Sequence, residues 1–277
     1  MSVNVGRTIA VEDVRFAYPD GTVALDGVSL AVEPGRTVAI VGQNGSGKST
    51  LVRHLNGLLR PSTGRVTIDG GDIAGIHVAE LARAVGLTFQ DPDRQIFAGK
   101  VRNEVAFGPR NLGRRGADLD AAVAAALVAT GLDHDADTNP YDLGYSRRKL
   151  LALASILAMS TPVVVLDEPT TGQDARGVAR IHSIVADLSA AGRTVIAISH
   201  DMRFVAEAFE RIVVMRAGQI VLDGSPADVF AEAAWPTLGS TFLEPPLAAR
   251  IGARLGLGST PTDAALLDAL GADRPAI

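Results

Sequence analysis

Gly42-Gln43-Asn44-Gly45-Ser46-Gly47-Lys48-Ser49-Thr50 is the stretch on which the reading of this chain turns. Gly42, Gly47, Lys48 and Ser49 satisfy the spacing G-x-x-x-x-G-K-[ST] of a phosphate-binding loop. Glycines let successive backbone N–H groups curl into a concave anion nest, because residues without Cβ accept the necessary backbone angles. A helix that follows the loop points its positive N-terminus at the same phosphates. Lys48 supplies a compact charge, and the Ser49 hydroxyl is placed to reach a Mg²⁺. The chain has three lysines against 23 arginines, so a lysine at position 48 is a chemical choice. A planar guanidinium would not tuck against the loop as an ammonium does. The ligand implied is a nucleoside triphosphate.

A chain of 277 residues has room for one large domain or two modest ones. Its composition, 47% hydrophobic and 21% charged, is that of an ordinary globular protein. A net charge of −5 disfavours nucleic acid as the main partner. The absence of cysteine excludes disulfides, zinc–thiolate sites and cysteine nucleophiles. The opening MSVNVGRTIAVEDV lacks the basic-then-apolar order of a secretory signal. The longest apolar run, 150–166, is broken by Ser155 and by Ser160-Thr161-Pro162. It reads as a buried helix followed by a buried strand, not as a membrane span of ~20 residues. Any membrane role is expected to come through a partner.

Working outward from the loop, Val38–Val41 is a buried strand leading into it and Lys48–Leu59 the helix leaving it, stopped near Gly57 and Pro61. Upstream, alternating segments Ile9–Phe16 and Ala24–Val32 flank the turn Pro19-Asp20-Gly21 and predict an antiparallel pair. Arg65–Ile68 and Val85–Phe89 are further strands, the first turning at Asp69-Gly70. From Asp91 to about Ser160 the pattern is helical, with helices at Leu119–Thr130 and Ser146–Met159. Parallel-type strands then return at Val163–Leu166, Thr194–Ser199 and Arg211–Arg216, separated by helices at Ala175–Ala190 and Asp201–Phe209. A hairpin turning at Ala217-Gly218 and a capped helix starting at Ser225 lead into a tail with a second helix start at Thr260. The expected fold is α/β: a phosphate-loop core with a mostly parallel sheet and an antiparallel β subdomain. A helical subdomain at about 91–160 is inserted in a unit of residues 1–230. Residues 231–277 form a small helical extension.

Val163–Glu168 reads VVVLDE, a buried strand whose carboxyl end delivers two acids to the sheet edge where ligands bind. Asp167 is placed to hold Mg²⁺, and Glu168 to orient or deprotonate an attacking water. His200 follows another strand end, where it is either a γ-phosphate contact or a solvated histidine. Gln90 ends a third strand and can ligate Mg²⁺ or water.

The loop, Gln90, VVVLDEP, Asp174 and Ser199-His200-Asp201 together resemble the ATP-binding cassette (ABC) ATPases in order and spacing. The resemblance covers about Ile9–Gly224. It implies ATP and Mg²⁺ as ligands, and two ATPase subunits, identical or different, facing head to tail. Each ATP then lies between one phosphate loop and the partner's signature segment. Tyr18 matches the residue that stacks on adenine in that family; as a bare tyrosine it is equally a core-edge residue. A narrower resemblance lies in Phe89–Pro109, FQDPDRQIFAGKVRNEVAFGP, and in the tail beginning at Pro245-Pro246. Both are similar to the ATPases of energy-coupling factor (ECF) transporters, which import vitamins or transition-metal ions. That likeness implies a peripheral subunit on the cytoplasmic face of the cell membrane. It would work with a transmembrane scaffold (T component) and a substrate-binding membrane protein (S component), with the tail contributing to ATPase–ATPase contact. The alternatives are another ABC transporter such as an exporter, a low-activity regulatory subunit, and a non-transport ABC protein.

The signature segment departs from its family. In place of LSGGQ the chain has Leu143-Gly144-Tyr145-Ser146-Arg147, followed by Arg148-Lys149. Two readings stay open. Either this segment is degenerate and closes a weak ATP site, or Ser146 caps the helix and offers its hydroxyl from a shifted register, the cations facing polyphosphate or acids. Gln173 before Asp174 is also unusual.

Overall fold

A computed structural model of the chain describes residues 6–272. The expected units 1–230 and 231–277 begin and end in residues 1–5 and 273–277, which lie outside the described residues. In chain order the described residues form strands β1 (Ile9–Ala17), β2 (Val23–Val32) and β3 (Thr37–Val41), then helix α1 (Lys48–Leu55). Strands β4 (Thr63–Ile68) and β5 (Gly71–Asp72), helix α2 (Val78–Leu81) and strand β6 (Val85–Thr88) follow. Three helices, α3 (Val101–Asn111), α4 (Gly116–Thr130) and α5 (Tyr145–Met159), separate β6 from β7 (Val163–Asp167). Next come α6 (Ala175–Ala190), β8 (Thr194–Ile198), α7 (Met202–Ala208), β9 (Arg211–Arg216) and β10 (Gln219–Gly224). Short helices α8 (Pro226–Val229), α9 (Trp235–Gly239), α10 (Leu247–Arg254) and α11 (Asp263–Ala272) close the described chain.

The larger sheet has six strands in the order β10-β9-β3-β8-β7-β6. β6, β7, β8, β3 and β9 run parallel, and β10 pairs antiparallel with β9. The smaller sheet, β2-β1-β4-β5, is antiparallel throughout. Hairpin turns at Asp69-Gly70 and Ala217-Gly218 place both residues at positive φ, the geometry that matches strand twist in a two-residue connection.

The uninterrupted apolar runs have a simple cause. Val38 and Ile40 of β3 and Val163 and Val165 of β7 pack into one core, shared with α1 and the antiparallel sheet. Their neighbours Ala39, Val41, Val164 and Leu166 pack into a second core with α3, α4, α5 and α6. Side chains alternate across a strand, so a strand covered on both faces must be apolar at every position. All five residues of β3, β7 and β8 are buried.

This topology sets the site. β8 lies between β3 and β7, so the carboxyl ends of β3 and β7 are separated by two strand spacings, about 10 Å. The phosphate loop leaves β3, Glu168 follows β7, and His200 follows β8. Three sequence-distant segments therefore meet at one edge.

Candidate nucleotide site

α1 starts at Lys48, with Gly47 as its N-cap at φ 102° and no side-chain cap. Its first-turn amides have no partner within the helix and face the place a phosphate would take. Two glycines are required by contact as well as by angle. A Cβ at Gly42 would stand 2.2 Å from the Met215 carbonyl oxygen, and one at Gly47 2.4 Å from that of Ala24. Lys48 Nζ donates to the carbonyls of Gly42 (2.7 Å) and Gln43 (2.8 Å), so these residues brace the ammonium from behind. Burial pushes the Lys48 pKa below its ordinary value, against the opposing charges of Glu168 and Asp167. A triphosphate beside it would favour the charged form further.

A cavity of about 500 Å³ opens over the loop. Asn44, Gly45, Ser46, Gly47, Lys48, Ser49 and Thr50 line it, together with Tyr18, Gln90, Glu168 and His200. Tyr18 sits half-buried at the rim, its hydroxyl 2.9 Å from Thr50 Oγ1 and its ring edge-on to Phe16. Gln90 is exposed, two residues beyond the end of β6.

Glu168 is buried, at the first position past β7, and has φ 53°, a conformation that residues with a side chain seldom adopt. Its N–H donates to the Ile198 carbonyl at 2.9 Å, anchoring the turn to β8. Its carboxylate accepts from Thr171 Oγ1 at 3.3 Å and lies 2.9 Å from His200 Nε2. Held backbone strain beside a cavity is typical of functional positions.

Asp167 ends β7, with its backbone N–H on Thr88 Oγ1 at 3.3 Å. Burial pushes its pKa up; the Ser49 hydroxyl opposes that shift and the Glu168 charge reinforces it. Asp167 Oδ1 is buried and has no hydrogen-bond partner. An orphaned carboxylate oxygen next to a serine hydroxyl suits a hard divalent cation that completes its shell with water and phosphate oxygens. These residues fit Mg²⁺. Among the described residues no three-residue His/Asp/Glu cluster offers an alternative cation site.

Gly144, Tyr145, Ser146, Arg147 and Asp174 do not line this cavity. The expectation that Ser146 caps its helix is wrong. Gly144, extended at φ −62° and ψ 159°, is the N-cap of α5, which puts Ser146 inside the first turn. Ser146 Oγ instead donates to Gln173 Oε1 (2.7 Å), and Gln173 Nε2 donates back to the Ser146 carbonyl (3.0 Å). The three cations also have partners within the chain. Arg147 pairs with Asp135, Arg148 with Asp93 at 2.8 Å, and Lys149 donates to the Glu168 carbonyl. Asp174 caps α6, accepting from the Gly177 N–H at 2.7 Å.

Sequence reasoning missed Gln173 and Lys149 as structural partners of the site. Gln173 stands out as unusual before Asp174, but no local signal ties it to Ser146, 27 residues away along the chain. Lys149 had one: it shares with Lys48 the rarity of lysine in an arginine-rich chain.

Comparison with known proteins converges on one family. A family model described as ABC transporter matches residues 25–171. The energy-coupling factor transporter ATP-binding protein EcfA of Methanothermobacter thermautotrophicus is 41% identical over 227 residues, 81% of this chain and 73% of that protein. The chain spans only 40% and 43% of two longer relatives. The solved structure of CbiO1 from Clostridium perfringens, described as part of the ABC transporter complex CbiONQ, superposes with a TM-score of 0.74 at 34% identity. That match covers 90% of this chain and 98% of CbiO1. A dimeric ATP-binding cassette, MJ0796, bound to ADP and phosphate after hydrolysis, superposes at 0.73 with 25% identity over 78% of this chain and 98% of that one.

Proposed function

The chain belongs to the ABC transporter ATPases, and we propose that within that family it energises an ECF-type importer of a micronutrient, a vitamin or a transition-metal ion. ATP binding and hydrolysis come with the family. Mg²⁺, the individual residue roles and the partners belong to this reading. The observation that carries the site assignment is the meeting of Lys48, Glu168 and His200 around one cavity from three strand ends. Lys48 and the loop amides hold the phosphates, with Ser49, Asp167 and Gln90 around Mg²⁺. Glu168 takes a proton from the attacking water, and His200 contacts the terminal phosphate. Tyr18 stacks on the base.

None of the described helices is long and apolar enough to cross a membrane. In this reading the protein sits on the cytoplasmic face of the membrane, held by a scaffold subunit, with a separate membrane protein choosing the cargo. A second ATPase subunit, the same or different, completes each ATP site, and Asp174 and the 231–277 extension lie in that contact. The likeness to EcfA and CbiO1 supports an energy-coupling factor ATPase, from which the importer reading follows. Purification from membranes followed by uptake into vesicles tests it. Co-purifying scaffold and substrate-binding proteins and ATP-dependent inward transport are expected. Outward transport, or a partner with the fused membrane spans of an exporter, would refute it.

A second reading is favoured by one observation. Ser146 spends its hydroxyl on Gln173 within its own chain. A subunit built this way would clamp the partner's ATP weakly, making one site of the dimer slow. Phosphate release by the pure protein, alone and with its partner ATPase, separates the two readings.

A further inference from the structure

Lys149 is buried, yet the roles assigned above leave it unused. Its ammonium donates to the backbone carbonyl of Glu168. The Glu168 N–H is already committed to Ile198, so both polar backbone atoms of this left-handed residue are held. Burial pushes the Lys149 pKa down, and the charges of Glu168, Asp167 and Asp91 oppose that shift. Taking a charge out of water is costly, and a buried ion pair can often be replaced as a whole by apolar residues without loss of stability. A buried ammonium aimed at a carbonyl is therefore an expensive way merely to fill space.

Position on the helix adds a second argument. Ser146 and Lys149 are three residues apart on α5 and so lie on one face. Ser146 is tied to Gln173, and Lys149 to Glu168. Tyr145 packs beside Gly172, whose added Cβ would stand 2.9 Å from the ring. The first turn of α5 is thus fastened along the segment 168–173, which carries the carboxylate facing the loop.

The geometry points to Lys149 as a positioning residue that fixes the backbone of Glu168, and with it the direction of the carboxylate. This rests on the reading of Glu168 as the group that activates water. It goes further in making the orientation of that carboxylate depend on α5, a helix of the lobe between β6 and β7. A small rotation of α5 would move Lys149, and the carboxylate would follow.

The test is Lys149→Met in the full chain, with whatever partner subunits turnover requires, alongside Glu168→Gln and the double variant. Turnover by Lys149→Met should fall about 10–100-fold, the scale of a misplaced reacting group. Its equilibrium ATP affinity should stay within about twofold, because ground-state binding is untouched. In single-turnover measurements the double variant should be no slower than Glu168→Gln, since no aligned carboxylate remains to lose. Lys149→Gln, which keeps a donor, should recover much of the rate. Unchanged turnover in Lys149→Met, an equal further loss in the double variant, or Lys149→Gln as slow as Lys149→Met would each overturn the proposal. Should Lys149→Met fail to fold, the rate of Lys149→Gln decides alone: a near-normal rate supports the proposal and a collapsed rate in folded protein refutes it. Full turnover in Glu168→Gln is a separate failure, because it removes the role of Glu168 itself.

Discussion

His200 Nε2 lies 2.9 Å from Glu168 Oε1, joining an exposed imidazole to a carboxylate that is otherwise enclosed. Glu168 has few ways to turn: its backbone is held at both polar atoms, and Thr171 takes its other oxygen. His200 is the freer partner, with 42% of its side chain exposed. It can therefore serve the carboxylate and a terminal phosphate in the same cavity. His200→Ala should reduce ATP turnover by about 10²-fold or more, the usual scale for a lost proton-transfer or hydrogen-bonding group. Binding should change little if, as proposed, the loop and Lys48 supply most of the phosphate contacts. Steady-state phosphate release and calorimetric ATP titration check the two halves separately. A proportional loss of affinity would move His200 from the reaction to binding.

Asp167→Asn should separate stability from function. Burial raises the Asp167 pKa above its ordinary 3.8, so in the pH interval between the two values the folded state binds more protons than the unfolded one. By linkage, this group's contribution falls as pH rises through that interval and stays unfavourable above it. Without nucleotide, Asp167→Asn should unfold at a higher denaturant concentration than the unmodified chain at pH 7. That advantage should shrink towards pH 3. A bound divalent cation favours the carboxylate and reverses the sign, so Mg²⁺-dependent stabilisation by ATP should be lost in the variant. Denaturant melts at several pH values, with and without MgATP, read both effects. Equal stability of the two chains at pH 7 would show that the buried charge is compensated.

Gly47→Ala meets two obstacles at once, the φ of 102° and the Ala24 carbonyl 2.4 Å from the new Cβ. Gly45 has φ 79° but open space around its Cβ position. Gly45→Ala should cost about 1 kcal/mol of backbone strain, and Gly47→Ala on the order of 3 kcal/mol with loss of ATP binding. Denaturant melts and nucleotide titration rank them. Equal costs would mean that the loop relaxes around Ala24.

The parts of this site that could be read from sequence share a physical property: their chemistry is concentrated in consecutive residues. The loop, the acids after VVVL and the histidine after a strand each declare themselves within a few positions, and parallel topology brings them together. Where Ser146 lies was not legible. A serine ahead of an apolar run ordinarily signals a cap, but Gly144 takes the extended cap conformation two residues earlier. Helix α3 falls inside the stretch read as helical from Asp91 but was not delimited; Pro109 sits near its end, where an apolar period is hard to follow. The contacts of Lys149 and Gln173 depend on how α5 docks against the segment after β7, and no local pattern encodes that docking.

The reciprocal bonds between Ser146 and Gln173 give the last prediction. Each is an ordinary hydrogen bond in a half-buried setting, worth about 1 kcal/mol net. Gln173→Leu removes both and leaves the Ser146 hydroxyl free to turn outwards. Stability should fall by about 1–2 kcal/mol, the combined worth of the two bonds. If Ser146 contributes to gripping a partner's nucleotide, freeing it should raise turnover of the assembled dimer severalfold. Ser146→Ala should remove that gain in the double variant. The unmodified, Gln173→Leu, Ser146→Ala and double chains, assayed for phosphate release at equal dimer concentration, complete the cycle. A Gln173→Leu chain that is less stable but no faster would assign the pair to fastening α5 alone.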